Sequence, residues 1–250
     1  GTTGSWLGVT STDWFTASNW CGGVPTQTTD VTIPSSAPNM PNINGTGAVC
    51  QSITNNGTLT ITGTNNLDVY GDWINNSTFT GNTSSVTFRG GSGNIIAGTA
   101  ATTFGNLVVN KSATANTLTS NSKAFTTIGS LTVTQGNLIL SATDNDYTIG
   151  TDVSVPVNGI LTHNVSWDTY GKRIYVSGNF LVDGVYNYTS PRATVQMIGT
   201  VTRYVRTGTN PASAFSILLL NNGNFYANGP VMINDNFWPM FGTAGNFYTN

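Results

Sequence analysis

Short alternating runs between Gly and Asn turns constrain the fold of this chain more than any other feature. From about Ser52 onward, apolar residues recur at every second position within each run, and polar turn residues separate one run from the next. Each run fits a strand of about four to six residues with one buried face. The clearest of these runs are residues 58–61, 67–70, 86–88, 107–109, 131–133 and 174–176.

The composition agrees with an all-β chain. All 10 acidic residues are Asp, so Glu is absent, and charged residues make up only 7% of the sequence. Glu and Lys usually cover exposed helix surfaces, so their scarcity argues against amphipathic helices. Hydrophobic residues make up 38% of the chain, which is enough to build a core.

The strand pattern itself recurs along the chain. An alignment that sets Leu67 against Ile174 also sets Val69 against Val176. The match continues to the end of the chain at nearly the same offset, with small insertions between runs. We therefore infer a segment of repeats over 52–250 that contains a duplicated unit, about 67–140 and 174–250. Such self-similarity is typical of stacked arrays.

Two architectures accommodate short strands with Gly and Asn corners. A parallel β-helix adds one rung to each sheet per coil, and insertions bulge from its corners without disturbing the rungs. Asn pairs such as Asn55-Asn56 and Asn75-Asn76 suit those corners, because Asn tolerates left-handed turns and stacked Asn side chains form ladders. The sequence therefore favours a parallel β-helix, with tandem antiparallel β-sandwiches as the alternative.

Residues 1–51 differ from the rest and are predicted to form a cap. They hold three tryptophans and four of the nine prolines, and proline at that density does not suit a regular central sheet. We expect one short strand there, residues 30–33. Both cysteines, Cys21 and Cys50, also lie in this segment, and we expect a disulfide between them in an oxidising compartment. The alternative is two unrelated buried thiols.

Several motifs follow one another along the first half of the chain: Trp6-Leu7-Gly8, Asp13-Trp14, Asn19-Trp20, Gly23-Val24-Pro25, Asp30-Val31-Thr32-Ile33-Pro34, Pro41-Asn42-Ile43, Gly71-Asp72-Trp73, Ser85-Val86-Thr87-Phe88 and Phe104-Gly105-Asn106-Leu107. Together they resemble segments of large secreted and cell-surface proteins of the Bacteroidota type. The resemblance implies a right-handed β-solenoid, exported to the cell surface through the type IX pathway and adhesin-like. These motifs specify a class of repeat but not a function.

Charge and hydropathy exclude two classes of partner. The formal net charge is −2 and no basic patch is present, so nucleic acid is not an expected partner. No apolar run approaches the roughly 20 residues that span a bilayer, so membrane insertion is not expected either.

Candidate catalytic chemistry is sparse. The single histidine, His163, is interpreted as a surface or corner residue. Asp144 and Asp146 form the densest acidic site and are a weak candidate for Ca²⁺, although the sequence around them lacks the Gly and Glu of a calcium loop. We therefore predict no enzyme activity, no catalytic residues, no cofactor and no metal site beyond that weak candidate.

Aromatic residues gather between 167 and 188, beside several charged residues. Exposed aromatic rings stack on sugars, and nearby polar groups fix the sugar's orientation. Phe180 and Tyr186 align with Trp73 and Phe79 in the duplicated unit and are predicted to be core residues. The remaining members form the predicted glycan-binding set: Trp167, Tyr170, Tyr175, Tyr188 and Arg192.

These observations predict an extracellular, non-enzymatic structural or adhesive repeat module, within a surface fibre or a longer adhesin. The alternative is a carbohydrate-binding β-helix module of a secreted polysaccharide-degrading protein, with glycans as its partners. The last residue, Asn250, falls within a repeat. We therefore expect either continuation in a longer chain or end-to-end self-association, in which exposed aromatic residues of the cap receive the open end.

Overall fold

Parallel strands dominate the architecture. The computed structural model of the chain describes residues 1–165, 172–240 and 246–249, without the side chains of residues 122 and 235–240. These residues form 27 strands and one 3₁₀ turn, Ala17–Asn19. Every pairing between two of these strands is parallel. The predicted parallel β-helix is confirmed, and the antiparallel β-sandwich alternative is wrong.

Three columns of stacked strands, here called faces 1, 2 and 3, make up the solenoid. Face 1 contains β1 (Val31–Ile33), β4 (Ile53–Asn55), β7 (Trp73–Asn75), β10 (Asn94–Ala97), β13 (Thr117–Ser122), the second half of β15 (Leu131–Ala142), β18 (Asn158–His163) and β21 (Val185–Tyr188). Face 2 contains β2 (Asn42–Ile43), β5 (Thr58–Ile61), β8 (Thr78–Thr80), β11 (Thr102–Phe104), β14 (Phe125–Thr127), β16 (Tyr147–Ile149), β19 (Arg173–Val176), β22 (Thr194–Met197), β24 (Phe215–Asn221) and β26 (Ile233–Met240). Face 3 contains β3 (Ala48–Cys50), β6 (Asn66–Val69), β9 (Ser85–Phe88), β12 (Asn106–Asn110), the first half of β15, β17 (Val153–Val155), β20 (Phe180–Val182), β23 (Arg203–Arg206), β25 (Asn224–Ala227) and β27 (Asn246–Tyr248).

From β1 to β23 the chain visits the faces in the order 1, 2, 3 and then begins the next coil, whereas the strands from β24 onward belong to faces 2 and 3; the whole stack has about nine turns. Coil length is therefore the spacing in sequence between stacked residues on one face. On face 1, Ile53 pairs with Trp73, Trp73 with Ile96, and Ile96 with Ser120, so that each of these coils is slightly longer than the one before. Insertions change the length of the corners and leave the stacked rungs in register.

The core follows from alternation along each short strand. Inward side chains are apolar and stack on the same position of the next coil, whereas outward ones are mostly Thr, Ser and Asn. Large aromatic rings fill the interior: Trp73 lies 4.8 Å from Phe79 and 5.2 Å from Phe104, centroid to centroid, and Phe104 lies 5.9 Å from Phe125. Phe180 and Tyr186 are fully buried in the same interior, as predicted.

Stacked asparagines close the corner between faces 1 and 2. Asn55 and Asn75 are buried, and Nδ2 of Asn55 donates to Oδ1 of Asn75 at 2.9 Å and to the Thr78 carbonyl at 2.9 Å. Nδ2 of Asn75 donates to the carbonyl of Ala101 at 3.0 Å. The predicted Asn ladder is confirmed here, and it satisfies backbone groups that a buried corner would otherwise leave unpaired.

The cap contains more solenoid than the sequence predicted. Instead of one strand, residues 1–51 contribute β1, β2 and β3, which form the first coil. Trp6, Trp14 and Trp20 lie over that coil, with the ring of Trp20 4.8 Å from Trp6 and 4.6 Å from Trp14. All three are at most 3% exposed, so the prediction that cap aromatics are available to receive another molecule is wrong for them. They are used instead to cover the apolar end of the core.

The predicted disulfide between Cys21 and Cys50 is not formed, and both cysteines are free thiols. Cys50 points into the core at the end of β3, and burial raises its pKa above the usual range of a thiol. Cys21 lies in the cap, where Sγ donates to the carbonyl of Gly1 at 2.9 Å. The two side chains have separate surroundings: alternation in β3 turns Cys50 into the core, whereas Cys21 lies in the cap. Their presence in one segment of the sequence therefore did not indicate that they are in contact.

The two copies of the duplicated unit lie on different faces of the solenoid. Leu67 and Val69 belong to face 3, whereas Ile174 and Val176 belong to face 2. Trp73 belongs to face 1, whereas its match, Phe180, belongs to face 3. Residues that align between the two copies therefore both point into the core, but they lie on different faces.

Candidate functional site

A column of three outward tyrosines runs along face 3, with the half-buried Tyr226 between the exposed Tyr204 and Tyr248. Tyr204 in β23 pairs with Tyr226 in β25, and Tyr226 pairs with Tyr248 in β27. Strand alternation turns all three outward, because their neighbours Val205 and Phe225 point into the core. Tyr204 is 44% and Tyr248 is 41% exposed, so this column is among the most exposed aromatic surfaces of the described residues.

The rings of this tyrosine column pack against one another from coil to coil, Tyr204 at a tilt to Tyr226 and Tyr226 stacked on Tyr248. The centroids of Tyr204 and Tyr226 are 5.8 Å apart with 38° between the ring planes, and those of Tyr226 and Tyr248 are 4.6 Å apart with 15° between the planes. Because the faces of Tyr226 and Tyr248 cover each other, this part of the column offers ring edges to solvent more than open faces. A ligand would therefore contact these edges and the hydroxyl groups, which both donate and accept hydrogen bonds.

A charged pair lies beside the tyrosine column. Arg206 follows Tyr204 by two positions in β23 and so points to the same side of the sheet. Its Nη2 lies 2.7 Å from Oδ2 of Asp183, and its Nη1 donates to the carbonyl of Asn228 at 3.4 Å. Asp183 is exposed and Arg206 is half-buried, so this pair adds an accessible carboxylate and a partly covered guanidinium to the strip of hydroxyl groups. The combination suits a neutral, polyhydroxylated ligand.

In the two preceding coils the position of Tyr204 on face 3 is occupied by polar residues, Asn179 and Asp152. The amide of Tyr204 donates to Oδ1 of Asn179 at 2.8 Å, and the amide of Asn179 donates to Oδ1 of Asp152 at 2.7 Å. Each side chain therefore accepts a hydrogen bond from the backbone of the next coil. These bonds fix the outward residues of face 3 in one line.

The predicted glycan-binding set is not gathered on one described surface. Tyr175 lies on face 2 between Thr148 and Gln196 of the neighbouring coils, whereas Tyr188 ends β21 on face 1. Both are half-buried, and the Tyr188 hydroxyl accepts from Nδ2 of Asn234 at 3.0 Å.

The other members of that set add little to a common surface. Arg192 is exposed in the turn between β21 and β22. Trp167 and Tyr170 lie outside the described residues.

His163 is buried, so its interpretation as a surface or corner residue is wrong. Its Nε2 lies 2.7 Å from the carbonyl of Lys172 and its Nδ1 lies 3.2 Å from the hydroxyl of Tyr186. A carbonyl only accepts, so Nε2 carries the proton and Nδ1 accepts from the tyrosine. Burial lowers the pKa of His163 to about 4 and raises the pKa of Tyr186, so both groups are neutral at pH 7. This pair holds two adjacent coils together and is closed to solvent.

Asp144 and Asp146 are engaged in bonds between coils. Oδ1 of Asp144 accepts from the amides of Ala124 and Asn145, and Lys123 Nζ lies 3.3 Å from its Oδ2. Burial acts to raise the pKa of Asp144, but these hydrogen bonds and Lys123 outweigh it and lower that pKa. Oδ1 of Asp146 accepts from the amide of Arg173 at 2.7 Å. In the described part of the chain, no three His, Cys, Asp or Glu side chains are grouped to hold a metal ion.

Sequence reasoning missed the tyrosine column, although a signal for it was present. Tyr204, Tyr226 and Tyr248 are evenly spaced in the sequence, and their spacing equals one coil in that part of the solenoid. A search for residues that recur at coil length, in place of the much longer duplicated unit, would have put them in one line.

Comparison with known proteins gives one match. A family model described as a domain of unknown function (DUF8693) matches residues 5–120, which is somewhat less than half of the chain. These residues comprise most of the cap and the coils up to β13. No curated protein and no solved structure matches the chain. Within the described residues, no helix has the length and apolar character needed to cross a membrane.

Proposed function

We propose that this chain is a non-enzymatic, extracellular structural and adhesive repeat module, working within a surface fibre or a longer adhesin. The observation that carries the proposal is the apolar interior that runs through the described part of the solenoid. Buried apolar side chains follow one another from Val31 in the first coil to Phe225 near the end, and the tryptophans of the cap cover the first coil.

A continuous apolar interior suits a protein that resists mechanical force better than it suits an enzyme, which needs reactive polar groups in a cleft. Each coil is joined to the next by parallel hydrogen-bond ladders on its faces, by the Asn ladder and by side-chain bonds such as His163 to Tyr186. In stacked arrays each repeat contacts its neighbours, so stability accumulates along the rod. The outer faces carry mainly uncharged polar groups, which favour a solvated extracellular surface.

The cap also bears on how the module is assembled. Its tryptophans are buried, so end-to-end association through exposed cap aromatics loses its predicted contact. End-to-end association would therefore have to use other residues of the cap.

We expect the chain to be found outside the cell. An antibody raised against the folded chain should label intact cells that produce it, or the medium around them, as strongly as it labels permeabilised cells. A cytosolic marker probed in parallel controls for lysis. Labelling that requires permeabilisation would contradict the extracellular assignment.

Glycan binding is the second candidate function, and the tyrosine column supports it. If the column binds sugars, the double substitution Tyr204→Ala with Tyr226→Ala should weaken retention on a polysaccharide-containing gel at least about tenfold. The matched control is Tyr70→Ala, which removes a half-buried tyrosine directly after β6, far along the chain from the column and outside both proposed glycan-binding sets. Equal retention of the double variant and the parent protein would remove this candidate.

A further inference from the structure

Three polar residues stack in the corner between faces 3 and 1, in three successive coils. Asp72 directly precedes β7, Asn94 begins β10, and Lys111 directly follows β12. Lys111 is only 1% exposed and Asn94 is 7% exposed. A lysine is almost never buried so completely unless its ammonium group is paired with a charged partner. Here the two oxygen atoms that hold the amine are uncharged.

The amine of Lys111 is held against the side-chain amide of Asn94. Nζ lies 2.5 Å from Oδ1 of Asn94 and 2.5 Å from the carbonyl oxygen of Arg89. An amide carbonyl bond is about 1.23 Å long, so Cγ of Asn94 lies within about 3.7 Å of Nζ. This upper limit is close to the separation of about 3–3.5 Å at which two atoms are placed to react with each other.

The backbone of Gly136 confines the side chain of Lys111 to this position. Gly136 has a φ of +105°, and a Cβ there would lie 2.6 Å from Cγ of Lys111. Glycine is therefore required both by the backbone conformation and by the closeness of the lysine. The side chain has no room to turn out of the corner on that side.

Asp72 lies on the other side of the amide. Its Oδ1 accepts from the Ile95 amide at 3.0 Å and from Nδ2 of Asn94 at 3.4 Å. The Asn94 carboxamide therefore has an amine at its oxygen and a carboxylate at its nitrogen. The amine is thus placed to supply a nucleophile to the carbon, and the carboxylate to bring a proton to the departing nitrogen.

We propose that Lys111 and Asn94 form an intramolecular isopeptide bond, with Asp72 as the group that carries the proton. The lone pair of Nζ attacks Cγ of Asn94, and a new C–N bond forms. The Cγ–Nδ2 bond then breaks, and its electron pair leaves with Nδ2. Asp72 takes a proton from the attacking nitrogen and delivers it to the departing one, which is released as ammonia. One amide replaces another, so no oxidant, reductant or further reactant is needed.

The surroundings favour the reactive form of the amine. Burial lowers the pKa of Lys111 to about 8, and the carboxylate of Asp72 partly opposes this effect. A larger fraction of the amine is then neutral near pH 7, and able to attack, than for an ordinary lysine. Exclusion of water from the corner also protects the amide carbon from hydrolysis.

The bond would join two successive coils by a covalent link. Lys111 and Asn94 are 17 residues apart, and the loop between them contains β11 and β12. All three residues lie within the 5–120 segment that the family model matches. The inference stands independently of the proposed function, because the bond is read from the folded chain itself.

The mass of the folded chain tests the proposal directly. We expect the intact protein to be lighter than its sequence mass by one ammonia molecule. Trypsin should not cut after Lys111, because acylated lysine is not a substrate, so the digest should contain the peptide 90–123 in place of 90–111 and 112–123. Fragmentation of that peptide should yield no separated backbone fragments from within residues 95–110. A full sequence mass with complete cleavage after Lys111 would overturn the proposal.

Substitutions then separate the role of each residue. Lys111→Met and Asp72→Asn should both abolish the loss of ammonia, the second with almost no change in the size of the side chain. The control is Asp68→Asn, which removes the carboxylate that pairs with Arg89 near the same corner and should keep the cross-link. A complete cross-link in the Asp72→Asn protein would overturn the role assigned to Asp72. Lys123, which lies 3.3 Å from a carboxylate and is partly exposed, should be cut normally in every digest.

Discussion

The substitution Trp73→Ala is expected to lower the free energy of unfolding by about 3–5 kcal/mol. Trp73 is 1% exposed and packs edge-on against Phe79 and at a tilt against Phe104. Its Nε1 also donates to Oγ1 of Thr102 at 3.3 Å. Because the solenoid stacks coils on both sides of this ring, the surrounding strands cannot easily collapse into the cavity. Urea titration followed by tryptophan fluorescence and circular dichroism measures the change.

The matched control for this substitution is Val157→Ala. Val157 is 75% exposed, and removal of an exposed side chain usually changes stability by no more than about 0.5 kcal/mol. If Trp73→Ala cost no more than this control, the ring would not be part of a close-packed interior, and the structure around β7 would be wrong.

Stability should also fall as the pH is lowered from 6.5 to 4, in part because of His163. Its folded pKa of about 4 lies below the ordinary value of 6.5, since burial disfavours the charged ring. Between those two values the unfolded chain takes up a proton that the folded chain does not, so the contribution is complete above pH 6.5 and is lost as pH falls towards 4. The gap corresponds to about 3 kcal/mol.

The variant His163→Gln isolates this effect from the titration of carboxylates. Glutamine retains a donor for the Lys172 carbonyl and an acceptor for the Tyr186 hydroxyl, but it does not titrate. Free energies of unfolding measured at pH 7 and pH 4 should fall more steeply for the parent protein than for the variant. Parallel pH dependence of the two proteins would show that His163 is not buried as a neutral ring.

The interior was largely predictable from sequence, and particular residues show why. Phe180 and Tyr186 were assigned to the core because they repeat the positions of Trp73 and Phe79, and all four are buried. Alternation along a strand is a local property, so it survives whatever the neighbouring coils do. The Asn55 and Asn75 corner was predictable for the same reason, because corner residues recur once per coil.

Surface sites were much less predictable. Tyr175 and Tyr188 are close in sequence but lie on different faces, whereas Tyr204 and Tyr226 are a whole coil apart in sequence and their rings are in contact. Nearness along the chain does not indicate nearness on a solenoid, because each corner turns the strand to a new face. Only a period equal to the local coil length brings residues together.

The all-β class, the short stacked strands and the inward side chains of each strand could all be read from the sequence. Those properties depend on composition and on a two-residue alternation, both of which are visible without any tertiary contact. Contacts between coils became known only from the folded chain: the free Cys50, the buried His163, the tyrosine column and the corner of Asp72, Asn94 and Lys111. Coil length varies between neighbouring turns, so the partner of a residue in the next coil is fixed only when the whole stack has formed.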